Sequence, residues 1–266
     1  MPKIISCALQ KGGVGKTTTT QNLAAALAEQ GRNVLAIDLD PQGNLTQCHG
    51  YSVELENLTI YEALIDRTVD INDTVVDMGK YRLIPSKIQL SAAEIELNTR
   101  IGKESILNNR LMRLTGDFDY IIIDCPPNLG NLTINAVYAS DMVIIPFECS
   151  YLSYMGLEIL RDQLIDPIES LRATNIKTII LPTMYDCRTK ISKQMLEQVE
   201  EDYDNGKGYV VLPWQVKLAT AYKQAALAGK DIFEYQGDND SLLDVYRNIA
   251  KYIKDWSDDI GVQGRV

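Results

Sequence analysis

The sequence predicts an α/β fold: a doubly wound, mainly parallel sheet with helices on both faces. Three observations predict it. Apolar runs at 3–9, 33–39, 81–85, 119–124, 142–147, 176–182 and 209–212 alternate with helix-like segments. The runs are nearly continuous in Ile, Val and Leu, the texture of strands buried on both faces. The first of them leads straight into a glycine-rich turn and a helix, the start of a right-handed crossover.

Taken in order, the first strand ends at Gln10–Lys11–Gly12–Gly13–Val14–Gly15–Lys16–Thr17–Thr18. The helix that follows, Thr17–Glu29, carries Leu23, Ala24, Ala26 and Leu27 inward and has Gly31 just past its end as a C-cap. The second strand ends in Asp38–Leu39–Asp40 and the turn Pro41–Gln42–Gly43. The run 119–124 ends in Asp124. Residues 153–173 form a long helical run that Pro167 kinks or splits. Ser241–Trp256 is amphipathic, with Leu242, Val245, Ile249, Tyr252 and Trp256 near helical spacing. With no internal repeat, low-complexity tract or long linker, residues 1–266 read as a single domain large enough for a sizeable core.

Composition limits the function. With 26 Lys+Arg against 36 Asp+Glu the net charge is −10, which argues against nucleic-acid binding through overall charge. The imbalance is local, however. Asn205–Lys230 holds Lys207, Lys217, Lys223 and Lys230 and no acid. The cysteines (Cys7, Cys48, Cys125, Cys149, Cys187) are scattered without a C-x-x-C, so they read as reduced residues of a cytosolic protein. The single His49 sits in a Gly-flanked loop and reads as a surface residue. No signal peptide precedes Ile4, and no apolar run approaches the ~20 residues that span a bilayer.

Strand, glycine-rich loop, Lys-Thr and helix make a phosphate cradle. The amides of Gly12, Gly13, Val14, Gly15, Lys16, Thr17 and Thr18 can curl around anionic oxygens, and the helix N-terminus adds partial positive charge. In this motif Lys16 reaches the β- and γ-phosphates and Thr17 binds Mg²⁺. The loop also departs from the ordinary pattern: Gln10 stands in place of the first glycine, and a second lysine, Lys11, follows it. Asp38 and Asp40, at i and i+2 on a strand, point the same way over the ligand crevice of an α/β sheet. Capping of the turn that follows is the other reading of these two acids.

K-G-G-x-G-K-[ST] resembles the deviant phosphate loop of the ParA/MinD group of ATPases. V-L-A-I-D-L-D-P-Q-G-N (34–44) and Y-I-I-I-D-C-P-P-N-L-G (120–130) resemble the second motif and the Walker B strand and switch of the ParA/Soj type. The likeness continues through T-I-N-A (133–136), A-S-D (139–141), V-I-I-P (143–146) and P-T-M-Y-D-C-R-T (182–189), covering essentially the whole chain.

The resemblance implies an ATP- and Mg²⁺-dependent hydrolase with Lys11, Lys16 and Asp40 as catalytic residues. Asp40 would position the attacking water, while Asp38 and Asp124 support the metal through water beside Thr17. Lys11 would cross a homodimer interface to the partner's nucleotide, and the switch at 124–130 would sense the γ-phosphate. Pro213 and Gln215 would pack on the adenine. Here P-W-Q-V-K (213–217) replaces the family's P-R-N-V-R, so Trp214 stands where an arginine is expected. Arg188 and Lys217 fall at DNA-contacting positions of the Soj type, and Lys190, Lys193 and Lys223 would extend that patch. An ordinary solvated helix face is the other reading of these cations. The partners implied are a second copy, non-specific DNA and a ParB-like or cargo adaptor protein that stimulates hydrolysis. The location implied is cytoplasmic, on the nucleoid when ATP is bound.

Two alternatives stay open. A MinD-like membrane-bound regulator is disfavoured by the acidic tail S-D-D-I-G-V-Q-G-R-V. A reductase resembling the nitrogenase iron protein would need Cys125 and Cys149 to bridge a cluster between subunits. With strand 1 expected to begin at residue 3, the N-terminal helix-turn-helix of some plasmid ParA proteins is not expected here.

Overall fold

The computed structural model describes residues 1–186, 188–203, 209–236 and 241–263. Cys187 and Lys207 lie outside them. In chain order the elements are β1 (Lys3–Cys7), α1 (Lys16–Glu29), β2 (Val34–Asp38), α2 (Asn44–Cys48), α3 (Ile60–Ile65), β3 (Val76–Asp77), β4 (Arg82–Ile84) and α4 (Leu90–Asn98). There follow α5 (Ile106–Leu111), β5 (Tyr120–Asp124), α6 (Asn131–Ala139), β6 (Met142–Glu148), α7 (Tyr151–Leu160), α8 (Asp166–Arg172) and β7 (Lys177–Thr183). The last are α9 (Lys190–Tyr203), β8 (Tyr209–Val211), α10 (Thr220–Leu227), α11 (Ile232–Gln236) and α12 (Ser241–Gln263).

The eight strands form one sheet in the order β3-β4-β2-β5-β1-β6-β7-β8. Every pairing is parallel except β3 with β4. The doubly wound, mainly parallel expectation is met. Strand alternation feeds two cores. Leu35, Ile37, Ile121, Ile123, Val143 and Ile145 pack on one face beneath α3 to α7. Ile5, Cys7, Ala36, Ile122, Ile144 and Leu181 pack on the other, beneath α1 and α12. β1 lies between β5 and β6, so the chain leaves it in one direction to β2 and in the other to β6. That reversal opens a crevice at the carboxyl ends of the strands.

Several local readings change. β3 is a two-residue antiparallel edge strand, too short to show a period of its own. The run 153–173 divides into α7, a wider helical turn at Arg161–Ile165, and α8. Pro167 falls in the first turn of α8, where its missing N–H costs least. α12 runs past Trp256 to Gln263, so the acidic tail is largely helical, and Asp255, Asp258 and Asp259 are exposed on it.

His49 is not a free surface residue. It is half-buried, with Nδ1 donating to the Leu45 carbonyl (2.6 Å) and Nε2 accepting from the Tyr81 hydroxyl. Burial holds the ring below its ordinary pKa.

α1 ends as its sequence predicts. Gly31 at φ +76° lets the Gly31 N–H reach Ala28 O (2.9 Å) and the Arg32 N–H reach Leu27 O (3.1 Å), a Schellman cap. A Cβ at Gly31 would meet no neighbour within 4 Å, so only backbone strain opposes a side chain there. Gly31→Ala is expected to lower unfolding free energy by about 1–2 kcal/mol in urea titrations of the nucleotide-free protein. An unchanged midpoint would show that the cap relaxes without cost.

Candidate active site at the carboxyl edge of the sheet

The loop from Gln10 to Gly15 leaves β1 at the crevice and closes onto α1. Gly15, at φ +94°, is the residue that turns the chain into the helix. Lys16 is buried and donates to Leu9 O (3.1 Å) and Lys11 O (2.7 Å), so its ammonium lies inside the loop it is meant to complete. Burial lowers its pKa, while the charge of Asp124 opposes that shift. Thr183, at the end of β7, donates to Val14 O (2.9 Å) and ties the loop to the far half of the sheet.

Asp38 and Asp124 are register partners at the ends of β2 and β5, which puts two buried carboxylates side by side. Each is handled differently. Asp38 Oδ2 accepts Thr46 N (2.8 Å) and Thr46 Oγ1 (2.7 Å), and Oδ1 accepts Asp40 N (3.2 Å). Burial still pushes its pKa up to about 6 against those donors. Asp124 Oδ2 accepts from Thr17 Oγ1 (2.7 Å), but its Oδ1 is buried with no partner among the described residues. Burial first, and the charge of Asp38 second, raise its pKa well above the usual carboxylate range. A hydroxyl next to an orphaned carboxylate oxygen at a phosphate loop is the donor set for a hard cation that keeps its waters and shares phosphate oxygens. Among the described residues no cluster of three His, Cys, Asp or Glu could hold an ion by itself.

Asp40 serves in part as the turn cap that the alternative reading describes, because its Oδ1 accepts Gln42 N (2.9 Å). Its Oδ2 has no protein partner among the described residues.

Lys11 is turned back onto its own chain. It pairs with Glu148 at the end of β6 and donates to Ser150 Oγ (3.1 Å) and Ser153 Oγ (3.2 Å) at the start of α7. Sequence reasoning missed these three partners, although a charged residue ending a buried strand, as Glu148 does, is the signal that marked Asp38 and Asp124.

Beside the loop, Val14, Thr18, Met184, Val216, Tyr222 and Tyr246 line a small, mostly apolar hollow of about 80 Å³. Pro213 and Gln215 lie just outside it. The lining begins at Val216, where the chain bridges to Thr183. Trp214 packs edge-on against Tyr252 of α12, at 6.4 Å between ring centres, and is partly buried against the core. Lys217 and Lys223 stand on the rim of the hollow. Lys190 and Lys193 are exposed on α9. Arg188 is exposed but forks onto the Asp186 carboxylate (2.9 and 2.8 Å), which partly neutralises it. Cys125 and Cys149 are 1% and 6% exposed, so neither thiol is presented to a partner for a bridging cluster.

Comparison with known proteins agrees with this geometry. An AAA domain family model matches residues 2–180. The sporulation initiation inhibitor protein Soj of Bacillus subtilis is 39% identical over 255 residues, covering 95% of this chain and 98% of Soj. The chain belongs to the ParA/Soj-type partition ATPases. The chromosome partitioning protein ParA of Myxococcus xanthus is 40% identical over 221 residues, covering 82% of this chain and 77% of ParA. Among solved structures, the cobyrinic acid a,c-diamide synthase of Mycobacterium smegmatis with bound ADP and magnesium superposes with a TM-score of 0.77 at 34% identity, covering 97% of this chain and 96% of that one. The ParA/Soj frame therefore applies along nearly the full length of this chain, from the phosphate loop to the helices that follow β8.

Thr17 is the only protein donor to the Asp124 carboxylate among the described residues. Thr17→Val should lower the stability of the nucleotide-free protein by about 1–3 kcal/mol, read from urea unfolding, because both Asp124 oxygens then lie buried without a donor. Equal stability would show that water or a proton already satisfies Asp124.

Proposed function

We propose that this chain is a slow Mg²⁺-dependent ATP hydrolase of the ParA/Soj type, built as a single domain over 1–266. Its ATP-bound dimer binds DNA non-specifically and positions a cargo such as a plasmid, chromosome or organelle. The observation that carries the reading is the convergence, at one edge of the sheet, of the phosphate loop, the Thr17–Asp124 bond and the adjoining Asp38 and Asp40.

In this reading Lys16 leaves the loop carbonyls for the β- and γ-phosphates, and the loop amides hold the remaining oxygens. Thr17, Asp124 and Asp38 are the residues that would hold Mg²⁺, which would neutralise phosphate charge when bound. Asp40, fixed by its turn, directs Oδ2 at the attacking water. Lys11 exchanges Glu148 for the nucleotide of a second copy and stabilises charge on the transferring group there. ATP then joins two chains, and hydrolysis releases them.

DNA contact falls to Arg188, Lys190, Lys193, Lys217 and Lys223, doubled by dimerisation. A ParB-like or cargo adaptor protein stimulates the cycle. The protein acts in the cytoplasm, on the nucleoid in its ATP form. No helix of the described residues is long and apolar enough to cross a membrane. Amidation of a corrin carboxylate, the activity in the name of the M. smegmatis relative, is a second reading. ATP hydrolysis that needs no acceptor carboxylate separates the two.

Asp40→Ala is expected to bind ATP normally and to hydrolyse it ~10²–10⁴-fold more slowly in a phosphate-release assay. Equal turnover would assign Asp40 to the turn alone. Binding of unrelated duplex DNA should require ATP and fall steeply with salt, and Arg188→Glu with Lys217→Glu should abolish it while sparing basal hydrolysis. Undiminished binding by that double variant would move the DNA surface elsewhere.

A further inference from the structure

The segment from Ser86 to Asn98 touches both loops that flank the phosphate cradle. At its start Ser86 Oγ donates to the Asp40 carbonyl (2.8 Å), and Ser86 N donates to Thr46 Oγ1 (3.0 Å). Thr46 Oγ1 in turn donates to Asp38 Oδ2 (2.7 Å). Ser86 and Thr46 are 3% and 2% exposed, so water does not compete for these bonds.

Further along, the Glu94 carboxylate accepts Asn131 N (2.6 Å) and Leu132 N (3.3 Å), two of the orphan amides at the start of α6. The Asn131 side chain answers by donating to Glu94 O (2.8 Å) and Asn98 Oδ1 (3.1 Å). The contact is so close that a Cβ at Gly130 would lie 2.5 Å from both Glu94 oxygens. The loop that leaves Asp124 is therefore pinned at its far end by α4.

Between the two attachments the backbone does not break. Overlapping turns (Leu90 N to Lys87 O, Ser91 N to Ile88 O and Ala92 N to Gln89 O, 2.9–3.0 Å) run directly into α4. Lys87 is anchored sideways by Glu62 (2.6 Å) and by the Asn57 carbonyl (3.2 Å). The result is a hydrogen-bonded strut with a hold on each loop. A loop tied to a rigid element at only one end can shift by itself. Two loops tied to the same element share their displacement.

We infer that Ser86 and Glu94 are positioning residues: through α4 they couple the placement of Asp40 to that of the loop at 125–130. The inference rests on the proposed ATPase reading, in which Asp40 orients water and that loop faces the γ-phosphate.

The test compares wild type, Ser86→Ala, Glu94→Gln, the double variant and Lys16→Ala in steady-state ATP hydrolysis, with ATP-analogue affinity measured in parallel. Each single change should lower kcat ~3- to 10-fold, the value of one buried hydrogen bond, with affinity for ATP held within about threefold. The double variant should lose less than the product of the two single effects. Unchanged kcat, multiplicative losses, or loss of ATP affinity matching the loss of rate would each overturn the coupling.

Amide hydrogen exchange gives a readout independent of turnover. Glu94→Gln should raise exchange in 38–46, and Ser86→Ala should raise it in 125–132. A change confined to the loop that lost its own bond would overturn the strut. A wild type no faster than Lys16→Ala would instead sink the ATPase reading and leave the exchange result to decide the coupling.

Discussion

Two carboxylates that end neighbouring strands at the same register, Asp38 and Asp124, are the constraint around which the rest is arranged. Burying two like charges side by side is costly unless donors, a cation or protons meet them. The chain meets Asp38 fully, with Thr46 and a backbone amide. It meets Asp124 only by half, with Thr17. Lys16, whose charge acts on Asp124, donates its hydrogen bonds to loop carbonyls instead. The unsatisfied half of Asp124 is thus a local cost that a metal-bound nucleotide would relieve, and the doubly wound topology places that cost at the mouth of the crevice. In this account stability is given up at one oxygen so that binding can recover it.

Much of this was legible in the sequence because its signals are local. Uninterrupted Ile/Val/Leu runs gave the central strands within a residue or two, and Gly31 gave the end of α1. Asp38, Asp40 and Asp124 stood out because charged residues close otherwise apolar strands. What was not legible depends on contacts far apart in the chain. Lys11 meets Glu148 across 137 residues, and nothing near Lys11 announces that partner. His49 looked exposed because its flanking glycines are a local cue, whereas Tyr81, which holds it, is 32 residues away. Pro213 and Gln215, expected on the adenine, stand just outside a small apolar hollow that begins at Val216. Its lining is set by the bridge to Thr183, which a linear motif does not encode. β3 escaped notice because two residues carry no period.

Lys11 and Asp40 share a feature that bears on function: each is held by its own chain. Asp40 is fixed by the turn it caps and by Ser86, so it is already placed. Lys11 is held by Glu148 and two serines at the head of α7, away from the loop's own crevice. One group is preorganised and the other is stowed. If Asp40 orients water as proposed, preorganisation lowers the cost of aligning it in each cycle. In the proposed cycle the stowed lysine would exchange its carboxylate partner for a phosphate, which would tie activation to a second nucleotide-loaded chain. Tyr151, Leu152 and Met155 of α7, the helix whose head holds this lysine, are exposed.

The central claim is that Lys11 joins two ATP-loaded chains. Light scattering coupled to size exclusion measures it directly, with wild type and Lys11→Ala each run with ADP and with ATP plus Mg²⁺. The account predicts one chain's mass for wild type with ADP, a doubled mass with ATP, and no doubling for Lys11→Ala although it still binds nucleotide. A variant that doubles as readily as wild type, or a wild type whose mass ignores ATP, would contradict it.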